Sequence, residues 1–266
     1  MRQLIRIFCS DLIKLKRNFI ILMHICIALM GMGLFLWYYK VSGADNILKI
    51  VAYLQVIAIA FPLLSGVVCS MFVEQEYYAG NYKHMLTTSN PKYLTLISKY
   101  IILVCLGFVA TLVSVLGFKF GISKAYFASS FYMISILILI GCNLFEYILH
   151  LFLSLRFGKG TSIGVGIVEM LLSALLLTGL GSGIWQYFPC AWGVRFITIW
   201  SSFSSSKTVE YIKVESIKAY QSTGLMCGFV TILAFVILCI WFSKWEGKNQ
   251  KNRVKLTVYL YYYVKI

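Results

Sequence analysis

The sequence predicts an all-α membrane protein: one polytopic unit of six transmembrane helices. Three observations carry this. The 266 residues are 60% hydrophobic and only 12% charged, with a mean hydropathy of +0.84, whereas soluble domains carry about twice that charge fraction. The apolar residues fall in long runs, each able to cross a hydrocarbon layer of roughly 30 Å. Basic residues flank these runs, as they do where they orient membrane spans. Little chain is left over for a separate soluble domain, so residues 1–266 read as a single transmembrane domain.

The first element, residues 1–18, is an amphipathic helix lying in the membrane surface. Leu4, Ile5, Phe8, Leu12 and Leu15 recur at helical spacing, and Arg2, Arg6, Lys14, Lys16 and Arg17 supply the polar side. Span one runs from about Phe19 to Tyr39 and closes on the interfacial aromatics Trp37, Tyr38 and Tyr39. Span two, from about Ile50 to Phe72, carries Pro62 and Gly66, and the proline predicts a kink. Residues 73–95 are the longest polar interruption in the first half of the chain. They predict a short helix from about Gln75 to Leu86, with Glu74 and Glu76 at its N-terminus and Asn90-Pro91 ending it.

Span three runs from about Leu96 to Phe118, span four from Phe127 to Leu153 and span five from Thr161 to Ile184. Residues 185–223 follow, with dense aromatics and the helix breakers Gly181, Gly183, Pro189 and Gly193. This predicts a re-entrant hydrophobic hairpin before span six, with Trp185, Trp192, Arg195 and Trp200 as candidate outer-interface or substrate-contacting residues. A polar stretch from Ser201 to Gln221 completes that segment. Span six runs from about Gly224 to Phe242, and residues 243–266 form a basic tail.

Six spans put both termini on one side. Of the 24 Lys and Arg, eight lie on the other side: Lys40, Lys49, Lys119, Lys124, Arg195, Lys207, Lys213 and Lys218. The excess places both termini and the 73–95 loop in the cytoplasm. The net charge of +15 is therefore a topology signal, and no nucleic-acid-binding motif accompanies it.

Enzyme chemistry finds no constellation. The eight cysteines form no CxxC pair, and the three histidines form no HExxH, so no metal framework is expected. Gly158-Lys159-Gly160 fails as a phosphate loop, because Gly follows the Lys and Leu153 stands where the first Gly belongs. No cofactor is expected on this chain. The remaining polar candidates are Glu146 and Glu169, acids inside spans four and five, with His150 one turn from Glu146. Both carboxyls are expected about 12–15 Å from the cytoplasmic ends of their spans.

This layout of surface helix, six spans, polar loop after span two and hydrophobic hairpin before span six resembles the permease subunits of type-2 ATP-binding-cassette exporters. Glu74, Glu76, Gly80-Asn81, Leu86, Pro91 and Lys99 match that family's acid-rich, glycine, leucine, proline and lysine coupling segment. Asn81 stands where the family usually has Thr. The chain's size and its Trp185-Gln-Tyr-Phe-Pro-Cys-Ala-Trp192 segment are most similar to the immunity permeases of Gram-positive lantibiotic producers. The resemblance implies a bacterial plasma-membrane complex of two similar permease subunits with a cytoplasmic ATPase dimer. That dimer would use ATP and Mg, the chain itself would be no enzyme, and the complex would expel an amphipathic antimicrobial peptide from the membrane lipid. The alternative is a stand-alone membrane protein, either a secondary carrier or a lipid-modifying enzyme. The absence of an internal repeat argues against a carrier.

Overall fold

The chain builds an antiparallel set of long helices around one central rod. The computed structural model describes residues 2–16, 19–86, 91–122, 126–205 and 210–247. Residues 248–266 of the expected basic tail, and Arg17, Asn90, Lys124 and Lys207, fall outside these residues. The order is α1 (Arg2–Lys16), α2 (Phe19–Val41), α3 (Asn46–Tyr78), α4 (Lys83–Leu86), α5 (Lys92–Gly121), α6 (Ser129–Arg156), α7 (Lys159–Leu177), α8 (Pro189–Ser205) and α9 (Glu210–Lys244). Among the described residues there is no strand, and six helices are long and apolar enough to cross a membrane: α2, α3, α5, α6, α7 and the Tyr220–Ser243 part of α9.

The central rod is α3. Its 33 residues make a helix of roughly 50 Å, longer than the hydrocarbon layer, and it packs on α6, α7 and α8. Two apolar cores form around it. One, at the α1 end of the bundle, joins Leu15, Phe72, Val73, Leu96, Leu103, Leu155 and Phe242. The other, at the far end, joins Ile50, Tyr53, Leu54, Val115, Phe118, Phe131, Tyr132 and Ile197. There Tyr53 stacks on Phe118 with ring centroids 3.8 Å apart. The outermost spans, α2 and α9, expose long apolar rows such as Met30, Leu34 and Trp37, and Leu225, Phe229 and Ile232. Without a hydrophobic drive between helices in lipid, close packing of small residues selects the partners.

Glycines set the crossing of α3 and α7. A Cβ on Gly66 of α3 would lie 2.8 Å from the Ser162 carbonyl oxygen of α7 and 3.2 Å from the His150 ring. A Cβ on Gly166 of α7 would lie 3.0 Å from the Pro62 carbonyl oxygen of α3 and 3.4 Å from the same ring. The two glycines thus open a slot in which α3 and α7 meet with the His150 imidazole between them.

Three expectations change. The helix from Gln75 to Leu86 does not exist as one element. Residues 75–78 continue α3, and only one turn, α4, follows a bend at residues 79–82. Glu74 and Glu76 therefore belong to the last turns of span two, because nothing before Ala79 breaks the helix. Span five ends at Leu177 rather than Ile184: Gly179, Gly181 and Gly183 favour 3-10 and turn geometry, and the Thr178 hydroxyl accepts from the Leu180 N–H. Third, the apolar residues of α1 do not share one face. Asp11 and Leu15 are buried, while Ile5, Leu12 and Ile13 face away from the protein, so α1 presents one apolar row to α5 and a second to its surroundings.

The crossing predicts opposite outcomes for two glycines of α7 and α3. Gly66→Ala overpacks a backbone contact and should lower stability by about 1–3 kcal/mol. Gly164→Ala meets nothing within 4 Å and should be neutral or stabilising by up to about 1 kcal/mol. Thermal unfolding of the detergent-purified protein distinguishes them.

Candidate functional site

Two groups of polar side chains are built into the bundle, one at the α1 end and one deep among the helices. The first follows from α3 overrunning the apolar layer. Its last turns carry Glu76 back beside α5, where Lys99 Nζ donates to Glu76 Oε1 at 2.7 Å. Lys99 also lies 3.5 Å from Asp11 Oδ1 of α1, and Lys14 Nζ lies 3.5 Å from Glu76. Ser98 donates to Asp11 Oδ2 at 2.7 Å. Two acids and two bases thus form a neutral cluster linking α1, α3 and α5. Asp11, Glu76 and Lys99 are all buried, and Lys99 Nζ also sits 5.1 Å from the Phe72 ring centroid. A buried charge needs a partner of this kind, since removing it from water costs several kcal/mol.

The bend that follows is strained. Gly80, Asn81 and Tyr82 have φ of 144°, 51° and 64° in succession. Glycine tolerates this freely, and asparagine often does, but a tyrosine in the left-handed region costs roughly 1–2 kcal/mol. Tyr82 is held there by burial. Its ring packs against Tyr77 and, at 5.1 Å, against Trp245 just beyond α9. Lys92 Nζ donates to the Trp245 carbonyl at 3.2 Å. Leu86 lies on the same side, its Cδ1 3.3 Å from where a Cβ of Gly247 would stand. Pro91 then starts α5. Glu74 points elsewhere, accepting from Lys159 Nζ at 3.0 Å and so tying the end of α3 to the start of α7. The segment is thereby fixed to α5, α7 and the end of α9.

The second group joins the acids expected inside the spans. His150 Nε2 lies 3.1 Å from Glu169 Oε2 and 3.8 Å from Glu146 Oε2. Glu146 and His150 are fully buried, and the Glu169 side chain is 14% exposed. The hairpin of α6 and α7 sets the two carboxyls at one depth, as counting from their common end requires. Ser162 was no sequence candidate, yet its hydroxyl lies 3.1 Å from His150 Nδ1 and donates to the Gly66 carbonyl at 3.1 Å.

The aromatic segment turns inward more than an interfacial belt does. After the 3-10 turns, α8 packs on α3, α6 and α7. Trp192 is buried and its Nε1 donates to the Gln186 carbonyl at 2.8 Å. Trp185 packs edge-on against Phe196 at 5.5 Å. Arg195 donates to the Leu176 and Thr178 carbonyls at 2.6 Å each, closing the C-terminus of α7. Trp200 stacks over Phe131 near the far end. Cys190 is buried in the first turn of α8.

A cavity of about 220 Å³ lies between α2, α3 and α5. Its wall is mostly apolar, with Ile27, Phe35, Ile57 and Leu64, and its polar points include His24, Ser65 and Thr111. His24 Nδ1 donates to the Ile20 carbonyl at 2.8 Å, and Ser65 Oγ is without a hydrogen-bond partner. Pro62 lies in the same stretch of α3, where its missing N–H loosens the helix. Sequence periodicity gave no sign of this cavity, nor of Asp11 and Lys14 as partners of the coupling-segment residues. Asp11 as the lone acid on an otherwise basic surface helix was the signal available.

The family described as ABC-2 family transporter protein matches residues 9–175, spanning α1 through most of α7. No curated protein and no solved structure matches the chain significantly.

The ion cluster makes a double-substitution prediction. Glu76→Gln alone leaves Lys99 buried beside a weaker partner set and should cost about 3–5 kcal/mol. Glu76→Leu combined with Lys99→Met leaves the Asp11–Lys14 pair neutral and should recover most of that loss. A double-mutant cycle on melting temperature in detergent tests the coupling.

Proposed function

Since the chain belongs to the ABC-2 family of transporter proteins, as a membrane permease subunit, we propose that it works in an exporter that removes a lantibiotic-type antimicrobial peptide from the bilayer and so protects the producing bacterium. A separate cytoplasmic ATPase dimer, with its ATP and Mg²⁺, supplies the energy, and a second permease subunit, identical or similar, completes the pathway. The termini and the 79–91 segment face the cytoplasm, in keeping with the basic excess on that side.

The observation that carries this reading is how residues 79–86 are attached. A coupling element has to be stiff and joined to the helices that it moves. Here the strained bend at Gly80 to Tyr82 is pinned by the Glu76–Lys99 pair to α5, by Glu74–Lys159 to α7 and by Trp245 to α9. Glu76 and Lys99 therefore act inside the permease, as the joint behind the docking surface. Leu86, the half-buried Gly80 and the exposed Asn81 lie nearer the ATPase. Closure of the ATPase pair presses on this segment, and the push passes into α3 and α5 together. Those two helices line the cavity of His24 and Ser65. An apolar wall with a few polar points suits the amphipathic side chains of a membrane-bound peptide. The Trp185 to Trp200 region, at the other end of α3, is the proposed exit.

The test is resistance. A sensitive Gram-positive strain expressing the chain with its ATPase and second permease should tolerate several-fold more lantibiotic than a strain lacking the chain. Gly80→Val, which cannot adopt a φ of 144° without strain, should reduce tolerance to that of the strain without the chain while the protein remains in the membrane. Unchanged tolerance in Gly80→Val would remove the coupling role from this bend. No tolerance with the native chain, despite assembly with the ATPase, would remove the peptide substrate.

A further inference from the structure

We propose that Glu146, His150 and Glu169 form a binding site for one divalent d-block cation, of the zinc or manganese class, inside the α6–α7 hairpin. The site does not depend on the exporter's substrate. Each of the three residues offers one ligand atom, and these atoms all lie within 4.8 Å of one another. The closer pairs are 3.1 Å and 3.8 Å apart. A tetrahedral ion with bonds of about 2.1 Å separates its ligand atoms by roughly 3.4 Å, so the cluster fits around a single ion with small side-chain movement.

The atoms converge on one small space. Both Glu146 carboxyl oxygens, Glu169 Oε2 and His150 Nε2 are buried, with no hydrogen bond by distance and angle to any of the described residues. The 3.1 Å approach of His150 to Glu169 lacks hydrogen-bond geometry, and neither Glu146 nor His150 has any solvent exposure. Four unsatisfied polar atoms converging in a hydrocarbon-embedded bundle need a shared partner.

The second shell prepares the imidazole. The Ser162 hydroxyl spends its hydrogen on the Gly66 carbonyl. Toward His150 Nδ1 it can then only accept, so Nδ1 carries the proton and donates. This leaves the Nε2 lone pair free on the side of the two carboxylates, the arrangement metal-binding histidines adopt. The ring cannot swing away, because the Gly66 and Gly166 slot encloses it. Charge closes the argument: metal ligation requires deprotonated carboxyls and a neutral imidazole, a set whose charge of −2 one divalent ion cancels. Imidazole and carboxylate together favour zinc or manganese over magnesium or calcium, which prefer oxygen ligands alone. Glu169 is the one ligand whose side chain has some exposure. A bound ion would cross-link α6 to α7 beside the point where α3 crosses both.

The experiment uses the full chain purified with its ATPase, stripped with a chelator and titrated with Zn²⁺, then with Co²⁺. We expect about one equivalent bound, with the strong visible absorption of a four-coordinate cobalt site. Glu169→Gln should abolish that equivalent, and Ser162→Ala should weaken it by about 10–100-fold. Glu246→Gln, at an exposed position, should leave it unchanged. Less than half an equivalent on the native protein overturns the proposal, leaving a proton shared between the carboxyls as the cluster's content. Undiminished binding in Glu169→Gln overturns it too, by placing the ion on surface groups. If Glu146→Gln does not fold, the Glu169 variant and the cobalt spectrum of the native chain still decide.

Discussion

A charge inside a bilayer must be answered within the protein, and this constraint organises the whole bundle. The chain has 24 Lys and Arg against nine Asp and Glu, so acids alone cannot do it. The fold uses the ends of its helices instead. Lys49 donates to the Tyr39 and Ser42 carbonyls at the end of α2, Arg195 to those of Leu176 and Thr178 after α7, and Lys92 to that of Trp245 after α9. Each cation meets carbonyls left open where a helix stops, at the negative end of its dipole. The scarce acids are kept for places where helices must be held side by side.

Those places mark the division of labour between the helices. At the α1 end, Asp11 and Glu76 gather Lys14 and Lys99 into one cluster. A surface helix that would otherwise slide in the interface is thereby locked to two spans. In the middle, Glu146 and Glu169 meet over an imidazole held by glycines. At the far end no acid of this kind is used, and stacked aromatics and the Asn46–Tyr126 hydrogen bond take over. The bundle is thus ionic at one end and aromatic at the other, with α3 passing through both regimes.

Much of this was legible in the sequence, for physical reasons. Six apolar runs leave a chain few choices in a bilayer, so all six spans were placed, and apart from the ends of spans two and five their limits lay within about four residues of those observed. The Glu146–His150–Glu169 grouping was readable because intramembrane acids are rare and helical rise fixes their depth. The end of α3 was not readable. Polarity marked Val73 onward as a loop, but nothing in a helix stops at the membrane surface, and Lys99 rewards Glu76 for staying helical. The end of span five was misplaced for the opposite reason: Thr178 to Ile184 is apolar enough to span, and its glycines decided otherwise. The inward turn of Trp192 depends on α8 packing against three helices, information that is tertiary.

The length of α3 has a geometric meaning. From Pro62 to Tyr78 the helix runs without interruption, a distance of about 24 Å. A pivot of about 10° at the proline would carry Tyr78 sideways by roughly 4 Å, close to one turn of helix in scale. The same rotation would barely move the residues beside Pro62 itself. A long arm on one side of the hinge therefore trades distance for force. A shift of a few ångströms at the membrane surface arrives among Gly66, Gly166 and the His150 ring as a small, strong twist, at the spot where the helices have the least room to yield.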